Sequence, residues 1–145
     1  MRVGRLPSSV TQLYDCTAME LVVDTSAIIA VLVREPLRAA LIDVTAGADL
    51  LAPPSVHWEV GNASPPCLSL RQAQRALSAY REIPIRFSDV ALARALGIAK
   101  DLDIYAYDAY VIACALQHRC GLLSLDHGLV RAAARAGVET TEVSR

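Results

Sequence analysis

Short apolar runs alternate with longer mixed segments along most of the sequence. The short runs have the length and continuous hydrophobicity of buried strands, whereas the longer segments repeat their apolar residues with a helical period. The runs predict strands at residues 21–23, 50–52, 83–87 and 122–125, with 138–142 as a candidate last strand. The segments predict helices at residues 26–33, 37–46, 55–64, 70–81, 88–100, 105–118 and 127–136. Alternating strands and helices favour a three-layer α/β/α sandwich with a mostly parallel central sheet.

Capping residues and turn formers mark where these elements begin and end. Ser55 and Ser69 are of the residue type that caps helix N-termini, so each is predicted to open a helix. The Ser88-Asp89 pair predicts another helix start, and Gly121 and Gly137 predict helix ends. The strand at 83–87 contains a proline, which cannot donate to a sheet ladder, so we predict that this strand lies at an edge.

The length of the chain, 145 residues, is that of one domain, and 54% of the residues are hydrophobic, enough to bury a core. Residues 1–18 are polar and show no period. We interpret them as a disordered extension or an over-long start before Met19, with residues 19–145 forming the domain. They contain no apolar signal-peptide core, and the longest apolar run is too short to cross a membrane. The 4 cysteines show no C-x-x-C spacing and predict free thiols in a reducing cytoplasm.

Two carboxylates directly follow predicted strands. Asp24 follows the run at 21–23, and Asp126 follows the run at 122–125. The carboxyl ends of parallel strands meet at one edge of a sheet, which is where α/β proteins place their sites. Both acids are therefore predicted at that edge.

Two further carboxylates reach the same edge through helices. Glu59 lies in the first turns of the helix that leaves the strand at 50–52, and such a helix begins at the carboxyl edge. Asp108 lies in the first turn of the helix that feeds the strand at 122–125. That helix runs antiparallel to its strand, so it also begins at this edge. Whether the four side chains touch depends on strand order.

Four carboxylates in one place require a cation, because like charges raise one another's pKa values. Oxygen ligands favour a hard divalent ion, Mg²⁺ or Mn²⁺, and such a site typically hydrolyses phosphodiesters by polarising the phosphate and activating a water. Each acid alone has a simpler interpretation as a helix cap, a first-turn acid or a turn residue. The coincidence of four acids, two of them directly after apolar strands, favours a shared site.

Four segments, in this order, resemble a known family: VVDTSA (22–27), PSVHWEVGNA (54–63), YDAYVIACAL (107–116) and LLSLDHGL (122–129). Together they resemble the PIN domain, and in particular the VapC-type toxin ribonucleases of type II toxin–antitoxin systems. The resemblance extends from residue 20 to about residue 143. It implies a PIN-like fold and a metal-dependent endoribonuclease that acts on RNA in the cytoplasm. It also implies a small cognate antitoxin and a homodimer.

The resemblance also implies roles for individual residues. The acidic quartet that binds Mg²⁺ or Mn²⁺ and performs catalysis is matched by Asp24, Glu59, Asp108 and Asp126. Asp24 and Asp108 match the positions most directly tied to the metal, while Glu59 and Asp126 would complete the site through water and orient the nucleophile. Supporting polar positions are matched by Ser26, Ser124 and Asn62.

One segment departs from the family's pattern. After Glu59 the family usually continues its helix toward a basic hairpin and often uses that helix for dimer and partner contacts, but here Pro65-Pro66 intervenes. This departure leaves open a catalytically inactive PIN-like interaction module. A phosphatase of the haloacid dehalogenase type also places an Asp after its first strand. That chemistry needs D-x-D, however, and the second position after Asp24 is Ser26.

The charge balance and the aromatic residues limit how RNA would be recognised. With 14 basic and 15 acidic residues, the formal net charge is −1, which argues against a strongly basic nucleic-acid binder. If a metal neutralises the quartet, the basic residues outnumber the remaining acids, which permits phosphate contacts. We predict that the aromatic residues near the acids pack rather than stack on bases, so that recognition depends on RNA shape and backbone. These are Trp58, Tyr105, Tyr107 and Tyr110.

Overall fold

The computed structural model describes residues 18–33, 36–63 and 68–143. Within these stretches the strands are β1 Glu20–Val23, β2 Asp49–Ala52, β3 Ile85–Phe87, β4 Gly121–Leu123 and β5 Thr140–Thr141. The helices are α1 Thr25–Leu32, α2 Arg38–Thr45, α3 Pro54–Asn62, α4 Leu70–Arg81, α5 Leu92–Leu102, α6 Ala106–His118 and α7 His127–Arg135. The sheet has the order β3-β2-β1-β4-β5, and every neighbouring pair is parallel. The predicted three-layer α/β/α fold is confirmed.

The position of β1 in the sheet explains where the site forms. From β1 the chain builds β2 and β3 on one side, then returns to build β4 and β5 on the other. Val22 is therefore paired with Leu51 of β2 and with Leu122 of β4, and all three side chains are buried. Strand order reverses between β1 and β4. A reversal of this kind opens a crevice at the carboxyl ends of the strands, the usual ligand site of an α/β sheet.

The helices cover the sheet in two groups. Helix α1 packs against α2, α3 and α4, whereas α5 pairs with α6, which in turn contacts β1 and β4. Five consecutive residues of α6, from Val111 to Ala115, are buried, because the helix lies between its partner helices and the sheet. The first turn of α6, which carries Asp108, is thereby fixed relative to the ends of β1 and β4.

Two predicted helix starts are wrong. Helix α3 begins at Pro54 after an extended Pro53, since proline is preorganised for the first turn and needs no N–H there. Ser55 is instead buried, and its hydroxyl has no hydrogen-bond partner among the described residues. Helix α5 begins at Leu92 rather than at Ser88, because the Ser88 hydroxyl bonds His118 Nε2 at 2.8 Å instead of capping.

Of the remaining boundary predictions, most are confirmed and one is wrong. Ser69 caps α4 in a reciprocal capping box with Gln72, as predicted. Gly137 follows α7 with φ of 81°, the left-handed conformation expected after a helix end. Helix α6, by contrast, ends at a left-handed Arg119, and Gly121 is the first residue of β4. The prediction that the proline-containing strand lies at an edge is confirmed, since β3 is the outermost strand on its side.

Some predictions concern residues outside the described part of the chain. These are nearly all of the N-terminal extension, the Pro65-Pro66 break, Cys16 and Cys67. Cys114 and Cys120 are free thiols. Of the helices in the described stretches, none has the length and apolar character needed to cross a membrane.

Candidate metal centre

Asp24 directly follows β1, with 7% of its surface exposed. Its backbone N–H donates to the carbonyl of Leu123 at 3.0 Å, which extends the pairing of β1 with β4 by one residue. Its side chain caps α1 by accepting the backbone N–H of Ser26. Asp24 is therefore a helix cap, as its simpler interpretation holds. The cap accounts for only one of the hydrogen bonds that the carboxylate accepts.

Two serine hydroxyls fix the Asp24 carboxylate. The Oγ atoms of Ser26 and Ser124 lie 2.6 Å and 2.8 Å from its Oδ2. Ser26 Oγ also accepts the N–H of Leu125 at 2.9 Å, and Ser124 Oγ accepts the N–H of Asp126 at 3.0 Å. A hydroxyl has one proton to donate, so both serines direct theirs to Asp24. Within the described chain, every hydrogen bond to this carboxylate reaches Oδ2, which leaves Oδ1 for another ligand.

The other three predicted acids interact electrostatically with Asp24 or with one another. Burial raises the pKa of Glu59, and the charges of Asp24 and Asp108 raise it further. Burial also raises the pKa of Asp108, followed by the charges of Asp126 and Asp24. Asp126 itself caps α7, with Oδ1 accepting the N–H groups of Gly128 and Leu129 at 2.7 Å and 3.1 Å. The electrostatic interactions thus link Glu59 to Asp24 and Asp108, and Asp108 to Asp24 and Asp126.

The arrangement is open rather than closed. Across the described residues, no three His, Cys, Asp or Glu side chains converge tightly enough to form a ready-made metal cluster. The donor chemistry nevertheless fits a hard divalent cation, because every candidate ligand is a carboxylate and like charges raise the pKa values of Glu59 and Asp108. Mg²⁺ commonly keeps several waters and binds through only one or two carboxylates. Asp24 and Asp108 could hold such an ion, with Glu59 and Asp126 bonded to its waters.

Asn62 is less central than predicted. It is the last residue of α3, is exposed, and lines a cavity of about 410 Å³ that lies between α1, α3 and α4. Its neighbours in that cavity include His57, whose Nδ1 atom lies 3.3 Å from the hydroxyl oxygen of Tyr80. No described hydrogen bond links Asn62 to the carboxylates.

Three of the four aromatic residues that were predicted to pack rather than stack on bases are exposed in the structure. Tyr105 is 85% exposed, Trp58 is 61% exposed and Tyr107 is 50% exposed. Tyr105 is the N-cap residue of α6, outside the turns that pack on the sheet, and Tyr107 meets Tyr110 edge to face at a ring separation of 5.9 Å. The position of Tyr105 in the sequence could have indicated its exposure. A residue at or before the start of a helix lies outside the turns through which that helix packs on the sheet.

Comparison with solved structures shows the same fold at low sequence identity. PAE2754 from Pyrobaculum aerophilum has a TM-score of 0.63 and 20% identity, covering 84% of this chain and 90% of its own. VapBC2 from Rickettsia felis, solved bound to a DNA fragment from its promoter, has a TM-score of 0.65 and 12% identity over 87% of this chain and 100% of its own. FitAcB from Neisseria gonorrhoeae has a TM-score of 0.61 and 18% identity, covering 84% of this chain and 96% of its own.

Sequence comparison identifies the family directly. No functionally curated protein is significantly similar to the chain. The family model of the PIN domain, however, matches residues 21–135, from the start of the buried part of β1 to the end of α7. This match covers most of the sequence and contains all four carboxylates, and the chain belongs to the PIN domain family.

Proposed function

We propose that this protein is a metal-dependent endoribonuclease and the toxin of a cytoplasmic toxin–antitoxin pair. PIN domains are generally nucleases, which supports hydrolysis of a phosphodiester. The observation that carries the proposal is the geometry of Asp24. Two hydroxyl donors hold one of its oxygens, the other oxygen is left for a ligand, and the charges of Glu59 and Asp108 act on the same region.

Each of the four acids would have a distinct role in catalysis. A bound Mg²⁺ or Mn²⁺ would polarise the scissile phosphate and lower the pKa of a water. Asp24 and Asp108 would hold the ion directly. Glu59 and Asp126 would bond the attacking water and orient it toward phosphorus. Ser26 and Ser124 would keep the Asp24 carboxylate in one orientation, so that its Oδ1 does not have to be reoriented when the ion binds.

An apolar groove beside the site supports a protein partner. It has a volume of about 1050 Å³ and runs between α1, α2 and α4, beginning at Val23 and Leu123 next to the carboxylates. Arg38 and Arg75 also line it. Two of the solved neighbours are toxin–antitoxin complexes. We propose that the groove receives an amphipathic segment of a small antitoxin, with acidic residues toward the two arginines, and that the toxin itself forms a homodimer.

The test is cleavage of a defined single-stranded RNA by the purified chain, with Mg²⁺ or Mn²⁺ and with excess chelator. We expect cleavage only when metal is present. The ends of the products should carry linear phosphates. A contaminating metal-independent ribonuclease that uses the 2′-hydroxyl would instead leave 2′,3′-cyclic phosphates. No cleavage at millimolar metal would support the inactive interaction module, while hydrolysis of small phosphate esters alone would revive the phosphatase alternative.

A further inference from the structure

The first turn of α6 presents aromatic rings to solvent beside a candidate metal ligand. Tyr105 and Tyr107 are 85% and 50% exposed, and they lie three residues and one residue before Asp108. Tyr110 meets Tyr107 edge to face, at 80° between the ring planes, so a broad face of Tyr107 is not covered by that contact. Exposed aromatic faces beside a proposed nuclease site are unusual for residues whose only role is packing.

Helix α7 presents basic side chains next to the same site. It begins directly after Asp126, and His127, Arg131 and Arg135 follow at intervals of four residues, so they share one side of the helix. All three residues are exposed. This stripe leads away from the carboxylates along α7.

The aromatic residues and the basic stripe lie close together in space. Arg135 Nη1 donates to the carbonyl of Leu102 at 3.2 Å, and Leu102 ends α5 only three residues before Tyr105. At the other end of α7, the charges of Asp108 and Asp126 interact. The two ends of α7 are thus connected to the two ends of the segment 102–108, which carries Tyr105 and Tyr107.

We propose that Tyr105 and Tyr107 stack on unpaired bases of the RNA next to the cleaved phosphate, while Arg131 contacts its backbone. This inference rests on the proposed function and identifies the side chains that would contact the RNA beside the cleaved phosphate. Bases in a duplex have no free face to offer, whereas every unpaired base can stack on an aromatic ring. Asp101 in the last turn of α5 and its C-cap residue Asp103 add negative charge shortly before Tyr105. Stacking, which does not depend on net charge, is therefore expected to contribute more to binding here than phosphate contacts.

The experiment measures binding of a labelled single-stranded oligoribonucleotide of about 12 residues by fluorescence anisotropy, with excess chelator so that the proposed metal-dependent cleavage does not proceed. Two further probes are the same backbone without bases, which separates base contacts from backbone contacts, and a duplex of equal length, which separates unpaired bases from paired ones. Tyr105→Ala and Tyr107→Ala are each expected to weaken single-strand binding about ten-fold, whereas Tyr105→Phe and Tyr107→Phe retain it. Arg131→Gln is expected to weaken binding of both the base-bearing and the abasic strand.

Matched controls and distinct outcomes keep the inference separable from catalysis. Leu96→Ala removes an exposed apolar side chain from α5, and Arg94→Gln removes an exposed arginine from the same helix; both should bind normally. Unchanged binding in the tyrosine variants would overturn the stacking inference even if metal-dependent cleavage is observed. Stacking without any cleavage would refute the proposed activity alone. If the tyrosine substitutions instead dissociate a dimer in light scattering and leave binding intact, the surface is a protein interface.

Discussion

Strand β1 begins on one carboxylate and is followed by another, and the two have opposite surroundings. Glu20 Oε1 lies 2.5 Å from Arg86 Nη2, and its Oε2 lies 3.7 Å from His118 Nδ1. Asp24 is bonded by the hydroxyls of Ser26 and Ser124, and the neighbouring charges are those of other acids. The fold supplies basic partners for Glu20, whereas around Asp24 it gathers further negative charge.

The difference separates a structural charge from one arranged for a ligand. A half-exposed ion pair such as Glu20–Arg86 contributes little to stability and is readily accommodated by a fold. At the Asp24 end, burial and like charge raise the pKa values of Glu59 and Asp108, so ionising these two carboxylates is costly. Costly arrangements of this kind cluster at functional sites. The contrast within one strand therefore supports a cation at the Asp24 end.

The largest effect is expected from a matched pair of substitutions at the two ends of β1. Asp24→Asn keeps the size of the side chain and removes the charge that would hold the metal, so metal-dependent RNA cleavage should fall at least about 100-fold. Glu20→Gln makes the same chemical change at the other end and should leave the cleavage rate within about two-fold of the parent. Equal losses in the two variants, at unchanged circular dichroism, would remove the distinction between the ends.

The next effect concerns the serine donors. Ser124→Ala removes a buried hydroxyl that donates to Asp24 and accepts from the Asp126 N–H. Loss of a hydrogen bond to a charged group costs about 1.5–3 kcal/mol, so the midpoint of urea unfolding should fall. Divalent-metal affinity should fall with it, because the carboxylate is no longer held in one orientation. Ser78→Ala on exposed α4, where the hydroxyl only returns to its own helix, is the control and should change neither quantity.

A smaller effect is expected from Asp108→Asn in metal-free protein. The folded chain raises the pKa of Asp108, so its protonated form is favoured by folding. That stabilisation is present below the ordinary carboxyl pKa of about 3.9 and is lost as pH rises through the folded value. At pH 7 the neutral amide should therefore raise the melting temperature by about 2 °C, a gain that disappears below about pH 4. Glu139→Gln, an exposed acid, is the control; a destabilised Asp108→Asn at pH 7 would contradict the repulsion.

The smallest effect belongs to the Glu20 end. Removing the ion pair with Glu20→Gln should lower the free energy of unfolding by less than about 0.5 kcal/mol, because the partners are 34% and 57% exposed. The loss should shrink further in 1 M salt, which screens exposed charges. A loss above about 2 kcal/mol would show that this end is as specialised as the other.

The acids at the carboxyl edge were predictable because they follow from connectivity. An Asp after a buried strand and an acid in the first turn of a neighbouring helix reach the same edge of any parallel sheet, and the structure places Asp24 and Asp108 together in this way. Ser69 was predictable because its capping box is local.

The errors arose where a distant contact or a neighbouring residue overrode the signal of a single residue type. Ser88 has the character of a helix cap, but its hydroxyl is used by His118, 30 residues away. Ser55 was displaced as a cap by the proline before it, whose fixed backbone already suits a first turn. Tyr105 was misjudged because it was treated as part of the helix, although it is the N-cap residue that precedes α6 and is exposed.

The most direct test is calorimetric titration of Mn²⁺ into the parent chain, Asp108→Asn and Glu20→Gln at pH 7. If Asp24 and Asp108 share one ion, the parent and Glu20→Gln should bind alike, while Asp108→Asn should lose the binding heat. Absence of binding in the parent at millimolar Mn²⁺, or equal binding in Asp108→Asn, would contradict a metal centre at the carboxyl edge of the sheet.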